Sequence, residues 1–142
     1  FCKCSTRCDD YVLYEGKSCF VILNRYPYVN GHLMIIPNRH LGGLEELTAE
    51  ERSEIFDLLD VSVKVLKEAM KPDGFNVGMN LGKAAGAGIA EHVHMHVIPR
   101  WEGDTNFMTV VGNVRVVPED PAVTAAKLMP LFEKYTRGGE KR

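Results

Sequence analysis

No stretch of the chain is apolar over the roughly 18 to 20 residues that a membrane-spanning helix needs, and no signal-peptide pattern opens it, so no membrane partner is expected. Charge of one sign is scarce as well. Lys and Arg number 17 against 19 Asp and Glu, a formal net charge of −2, which offers duplex nucleic acid no basic field. That balance still leaves room for a locally positive pocket and an anionic small molecule. Cysteine is missing after position 19. Cys2, Cys4, Cys8 and Cys19 crowd into the first fifth of the chain, whereas a small secreted domain spreads its cysteines to staple distant loops. A reduced, cytoplasmic protein is therefore expected. Internal repeats and low-complexity linkers are lacking too. What is there is a 142-residue chain with 45% hydrophobic content, enough to bury a core as one globular domain over residues 1–142.

Short apolar runs between turn residues lay out the elements. "YVLYEGKSCFVILN" predicts two strands, Tyr11–Tyr14 and Cys19–Asn24, broken at Glu15-Gly16-Lys17. "GHLMIIP" predicts a third, ended by Pro37. "LTAEERSEIFDLLDVSVKVLKEAM" predicts the long helix. In it, Thr48 with Glu51 three residues on has the form of a capping box, and Ile55, Leu58, Leu59, Val63, Leu66 and Met70 keep helical spacing. Pro72 and Gly74 are expected to end it. "FNVGMNL" and "HVHMHVI" predict two more strands, joined by the glycine-rich "GKAAGAG". "VVGNVRVV" reads as an edge strand or a loop, and Pro121–Tyr135 as a closing helix. Short connections between strands, with helices inserted, give an α+β domain: an antiparallel sheet of about five strands with one long helix and a C-terminal helix.

The five histidines are unevenly placed. His92, His94 and His96 alternate with Val93, Met95 and Val97 in "EHVHMHVIPRW". On a strand, alternate residues share a face at a spacing of about 6.6 to 6.8 Å. The three rings are thus predicted to project together while the apolar residues bury the other side. A single strand histidine is usually structural. Three on one face gain nothing in packing that Val or Leu would not supply at lower desolvation cost, so the row points to function.

Two chemistries use such a row. Imidazole is the commonest transition-metal ligand, but neighbouring positions on one strand do not converge tetrahedrally, and no HExxH or carboxylate pair accompanies them. In phosphoryl or nucleotidyl transfer, one neutral imidazole attacks phosphorus while its neighbours donate to phosphate oxygens and the leaving group. The adjacent "GKAAGAG" favours the second chemistry, because glycines expose backbone N–H groups to an anion, although loops also carry glycine simply to turn.

His92-Val93-His94-Met95-His96-Val97-Ile98 matches the histidine-triad signature, and in this the chain resembles the HIT superfamily. "LNRYPYVNGHLMIIPNRH" is similar to the family's second hallmark, an Asn on a strand and a Gly-His pair before the next strand, which line a nucleotide pocket. "IPRWEGDTNF" is similar to the tail of the fragile-histidine-triad and diadenosine-polyphosphate-processing branch, and the resemblance runs from Leu13 to Phe107. It implies a nucleotide hydrolase that cleaves a phosphoanhydride of diadenosine polyphosphate-like substrates through a nucleotidyl-histidine intermediate. His94 would be the nucleophile, its other ring nitrogen donating to a fixed acceptor such as a main-chain carbonyl. His92 would support that arrangement. His96 would contact the phosphate or bridging oxygen and stabilise the leaving group, and His32, in Asn30-Gly31-His32, would brace the cluster as the fourth histidine. Asn24 matches a ribose-contacting residue, Asn80 falls near a phosphate-contacting amide with a loop of different length after it, and Gly88 would supply a backbone contact. Without the family, His32 reads as a strand-end surface residue and Asn24 as a turn asparagine.

The resemblance also bears on cofactors, acceptor and assembly. Covalent catalysis of this kind requires no cofactor, and the nucleotide is expected to bind as a magnesium complex. Many bacterial members hold a structural zinc with two N-terminal cysteines and two histidines. Cys2, His40 and His92 match three of those positions, and the other cysteine would precede Phe1. Cys4 or Cys8 would then have to substitute, with residues 1–10 as a short metal clip, or the site is incomplete. His40 otherwise reads as an exposed loop histidine. His96 keeps the hydrolase form, where branches similar to galactose-1-phosphate uridylyltransferase carry Gln. Water is therefore the favoured acceptor, with phosphate, as in a diadenosine tetraphosphate phosphorylase, as the alternative; Lys83, the loop amides of 82–88 and Arg100 are its candidate donors. A non-catalytic nucleotide-binding or scaffold module is a further alternative, which has no need of an intact triad plus a fourth histidine. Family members are typically homodimers. Ile55, Val61 and Val65 suggest a second buried face on the long helix, with a broad core-facing stripe as the plain alternative.

Overall fold

The computed structural model describes residues 11–25, 29–86, 92–104 and 119–137. Among these, strands β1 (Val12–Glu15), β2 (Cys19–Leu23), β3 (Leu33–Pro37), β4 (Gly74–Gly78) and β5 (Met95–Arg100) form one antiparallel sheet in the order β1-β2-β3-β5-β4. Helix α1 (Ala49–Met70) connects β3 to β4, and α2 (Pro121–Arg137) comes last. The α+β architecture expected from the sequence is present. The segment 110–117, with Cys2, Cys4, Cys8 and Gly88, lies outside the described residues. No helix among those described is long and apolar enough to cross a membrane.

Period-two alternation divides the sheet into two faces. Leu13, Val21, Leu23, Leu33, Ile35, Met95 and Val97 pack with Ile55, Leu58, Val65 and Leu66 of α1 and with Ala125, Leu128 and Phe132 of α2 in one core. Helix α1 lies on β2, β3 and β5, and α2 lies on β1 and α1, so both helices cover the same face. Across the other face, Val12, Ile22, Met34, His96 and Gly78 follow one another as register partners. Phe20, Ile22, Met34 and Ile36 form a second, smaller apolar cluster there.

The capping box of α1 is closed in both directions: Thr48 Oγ1 accepts from the Glu51 N–H at 3.2 Å, and Glu51 Oε2 accepts from the Thr48 N–H at 2.9 Å. At the other end Lys71 takes a left-handed conformation with φ 51°, and Gly74, expected to stop the helix, instead opens β4. Ile55 and Val65 are buried in the chain's own core and Val61 packs against it, so their spread belongs to a core-facing stripe.

The largest difference from the sequence reading is in the histidine row. Strand β5 begins at Met95, so His92 and His94 stand before it rather than in it. Pairing of β3 with β5 runs only from Leu33–Val97 to Ile35–Met95. Pro37 has no N–H with which to extend the ladder. The loop after it takes over, and the Leu41 carbonyl accepts from the Val93 N–H at 2.8 Å. Val93 still joins the core, which keeps the alternation that sets the three rings apart from the apolar side chains.

Candidate active site

The turn between β2 and β3 brings His32 under β5. Gly31, just before it, has φ 78°, and a Cβ there would meet Met70 Sδ at 2.6 Å, so only glycine fits the turn against the end of α1. Asn30 is held from α2, where the Thr124 hydroxyl donates to Asn30 Oδ1 at 2.9 Å. His32, His92 and His94 are 1%, 2% and 6% exposed. Ring centroids stand 5.1 Å apart for His32–His96, 4.7 Å for His94–His96 and 4.8 Å for His40–His92.

Hydrogen bonds fix where the ring protons sit. An amide nitrogen only donates, so Asn24 Nδ2, 3.2 Å from His32 Nδ1, makes that ring nitrogen an acceptor and leaves the proton of His32 on Nε2. His32 Nε2–H then donates to His96 Nδ1 at 2.9 Å, and neutral His96 carries its own proton on Nε2. His94 is set the opposite way. Its Nδ1–H donates to the main-chain oxygen of His92 at 2.9 Å, which puts the lone pair on Nε2. Two touching rings thus present one nucleophilic nitrogen and one N–H donor. Burial, with the neighbouring His96 and His94, pushes His32 down to about 4, and burial, then His94, lowers His96 from the ordinary histidine value. Both rings are accordingly neutral near pH 7, as the relay requires.

A cavity of about 300 Å³ opens beside the rings, lined by His32, Asn76, Val77, Gly78, Met79, Asn80, His96 and Ile98. Gly78 is the register partner of His96, and a Cβ at Gly78 would meet nothing within 4 Å, so its missing side chain leaves room over the ring. Asn80 Nδ2 donates to the Gly86 carbonyl at 3.4 Å, across the short 3-10 turn Lys83–Ala85. Of the residues singled out from the sequence, His32, His96 and Asn80 line the cavity, His94 touches His96, and Asn24 stands behind His32. Arg100 lies on the His96 side of β5, but its guanidinium donates to Asp104 at 2.5 and 2.7 Å and to Asn76 Oδ1 at 2.8 Å. Sequence reasoning passes over Asn76 and Gly78. Their period-two spacing with Asn80, in the strand before the histidines, is the signal that reveals them.

His92 faces a different neighbour. Its Nε2–H donates to the Pro37 carbonyl at 2.9 Å, so the lone pair is on Nδ1, and that buried nitrogen has no hydrogen-bond partner among the described residues. Burial lowers the pKa of His92. Next to His40, an orphaned ring nitrogen of this kind fits a metal's nitrogen ligands. No group of three or more ligand side chains occurs among the described residues; Cys2, Cys4 and Cys8 are outside them.

The sequence model of the HIT domain matches residues 5–103. A protein of Mycobacterium tuberculosis named AP-4-A phosphorylase is 46% identical over 111 residues, covering 78% of this chain and 57% of that protein. A Saccharomyces cerevisiae bis(5'-adenosyl)-triphosphatase is 33% identical over 94 residues, 66% of this chain and 45% of that one. The chain therefore spans about half the length of these curated relatives. Among solved structures, a hypothetical histidine triad nucleotide-binding protein from Sulfolobus tokodaii superposes with a TM-score of 0.73 at 29% identity, covering 89% of this chain and 86% of its own. With a HIT-domain match over most of the chain and a HIT fold carrying the triad, the protein belongs to the HIT family.

Proposed function

We propose that the protein cleaves a phosphoanhydride of diadenosine polyphosphates by nucleotidyl transfer through His94. The opposed proton positions on His94 and His96 carry this reading. His94 Nε2 attacks the α-phosphorus and forms the N–P bond as the bond to the bridging oxygen breaks. His96 Nε2–H donates a hydrogen bond to that departing oxygen and both partners keep their protonation states, so one ring supplies electrons where its neighbour stabilises the charge that leaves. The cavity lined by Asn76, Gly78 and Asn80 receives the nucleotide, free or as its magnesium complex.

A second nucleophile then releases the nucleotide from His94. The hydrolase form of the triad supports water, whereas the higher identity to the mycobacterial phosphorylase than to the yeast triphosphatase supports phosphate. Phosphate is the acceptor to test first. A zinc ion held by His40 and His92 with Cys2 and a further cysteine would cross-link the segment before β1 to the Pro37–Leu41 loop, a structural task with no step in the reaction. Two copies are proposed to meet over β4 and the start of α1. There Phe56 is 64% exposed and Val77 and Leu81 are each 45% exposed, next to an apolar cavity of about 430 Å³ lined by Leu44, Leu47, Ile55 and Met79.

The test incubates pure protein with diadenosine tetraphosphate and labelled phosphate and maps adenylylated residues by mass spectrometry. Adenylyl-His94 with labelled ADP supports phosphate as acceptor; AMP formed at a rate indifferent to phosphate supports water. His94→Ala is expected to lose adenylylation and turnover while retaining AMP binding. Nucleotide binding without adenylylation or turnover in the wild type would make the protein a binding module and overturn the proposal.

A further inference from the structure

The peptide unit between His92 and Val93 makes two hydrogen bonds at once. Its carbonyl accepts the Nδ1–H of His94 at 2.9 Å, and its N–H donates to the Leu41 carbonyl at 2.8 Å. A peptide unit is planar and turns as one body, so whatever orients the N–H also aims the carbonyl. The same loop holds the preceding ring, since the Pro37 carbonyl accepts His92 Nε2–H at 2.9 Å. Between those two carbonyls sits Arg39. Its Nε and Nη2 donate to the two carboxylate oxygens of Glu51, each at 2.7 Å, and Nη2 also donates to the Glu46 carbonyl at 2.9 Å. The Glu51 side chain is only 5% exposed and is already bound to the Thr48 N–H on the first turn of α1, so it is a fixed anchor.

We infer that the Arg39–Glu51 pair is a positioning device for His94: it fastens the Pro37–Leu41 loop to α1, and the loop holds the His92–Val93 peptide with its carbonyl aimed at His94 Nδ1. The Arg39 end of the pair is exposed but the Glu51 carboxylate is buried, so cutting the pair also costs global stability, and the proton position on His94 is the readout that isolates the geometry. If the carbonyl drifts, the proton of His94 is free to move to Nε2, the atom that must attack. The inference rests on the reading of His94 as nucleophile, and the experiment separates the two.

Arg39→Met and Glu51→Gln remove the ion pair and keep most of the bulk. Long-range 1H–15N spectra at mildly alkaline pH report which nitrogen of His94 bears the proton, with no turnover required. Wild type is expected to show one tautomer, protonated at Nδ1. The variants are expected to show a mixture, with adenylylation slowed about ten- to a hundred-fold, the scale of an ångström-sized misplacement, and an unchanged Kd for AMP. Arg39→Lys keeps the charge without the fork and is expected to lie between. A folded variant whose His94 keeps the wild-type tautomer overturns the inference, whatever its turnover. If Arg39→Met does not fold, Arg39→Lys carries the same comparison. A wild type that neither adenylylates nor binds AMP defeats the proposed function, while the tautomer comparison still decides the positioning device.

Discussion

Replacing Asn24 by Asp exchanges a donor for an acceptor at the head of the Asn24–His32–His96 relay. The carboxylate would draw the His32 proton to Nδ1, His96 would have to donate back to His32, and its Nε2–H would be lost to the leaving group. Turnover of diadenosine tetraphosphate should fall by about a hundred-fold, the scale of one hydrogen bond lost to the departing charge. A substrate with an acidic phenol as leaving group should be much less affected, because less charge builds on its departing oxygen; equal losses on both would argue against the relay. His32 also predicts a pH dependence of stability. Its folded pKa is about 4 against an ordinary 6.5, so in between the unfolded chain binds a proton that the folded chain refuses. Stability is then complete above 6.5 and declines as pH falls towards 4, by ~3 kcal/mol at most from this group. Urea titrations across that window should show the decline, and should show it reduced in His32→Asn. The triad is legible in the sequence because three identical polar residues with period two are hard to explain by packing. Arg39 is not, since a lone arginine after a proline turn has no signature, and its partner Glu51 reads only as the far end of a capping box.

Among the elements, the ends of α1 show both sides of that legibility. Its start is written locally, in Thr48 and Glu51, and the structure closes the box between them. Its finish is less plain, because Lys71 rather than a glycine occupies the left-handed cap. Lys71→Gly should relieve that conformation and raise stability by about 0.5 to 1 kcal/mol in chemical denaturation, with activity unchanged. Strand β5 is legible in its alternation and not in its beginning. Period two continues through Val93 and Met95 whether or not a partner strand runs alongside, and the ladder stops because of Pro37, more than fifty residues earlier. Gly78 is a comparable case. In the sequence it is one more glycine, and only the pairing with His96 shows that its bare backbone keeps the cavity open.

At the scale of the whole molecule, among the described residues both helices cover one face of the sheet, and the histidine face carries the cavity and a small apolar cluster. Among the described residues, exposed apolar side chains include Phe56 on α1 and Val77 and Leu81 in and after β4. Phe56→Asp should weaken self-association about ten-fold or more, read by sedimentation velocity over a dilution series. A wild type that sediments as a monomer at micromolar concentration would count against two copies meeting there.

Among the described residues, strand β4 ends the sheet beside β5, and Asn76 and Gly78 within it form one wall of the cavity. Under the proposed function, any strand that pairs along that edge would stiffen a surface the nucleotide also touches. In the proposed dimer, occupancy and edge pairing would be coupled equilibria, and such coupling is reciprocal: with one site on each of two copies, the factor by which saturating AMP tightens self-association is the square of the factor by which dilution to monomer weakens AMP binding at each site. The two factors are separately measurable, by sedimentation with and without AMP and by calorimetry at two protein concentrations, and thermodynamics requires them to obey that relation. The substrate of this site would then act as a reporter of its own protein's concentration.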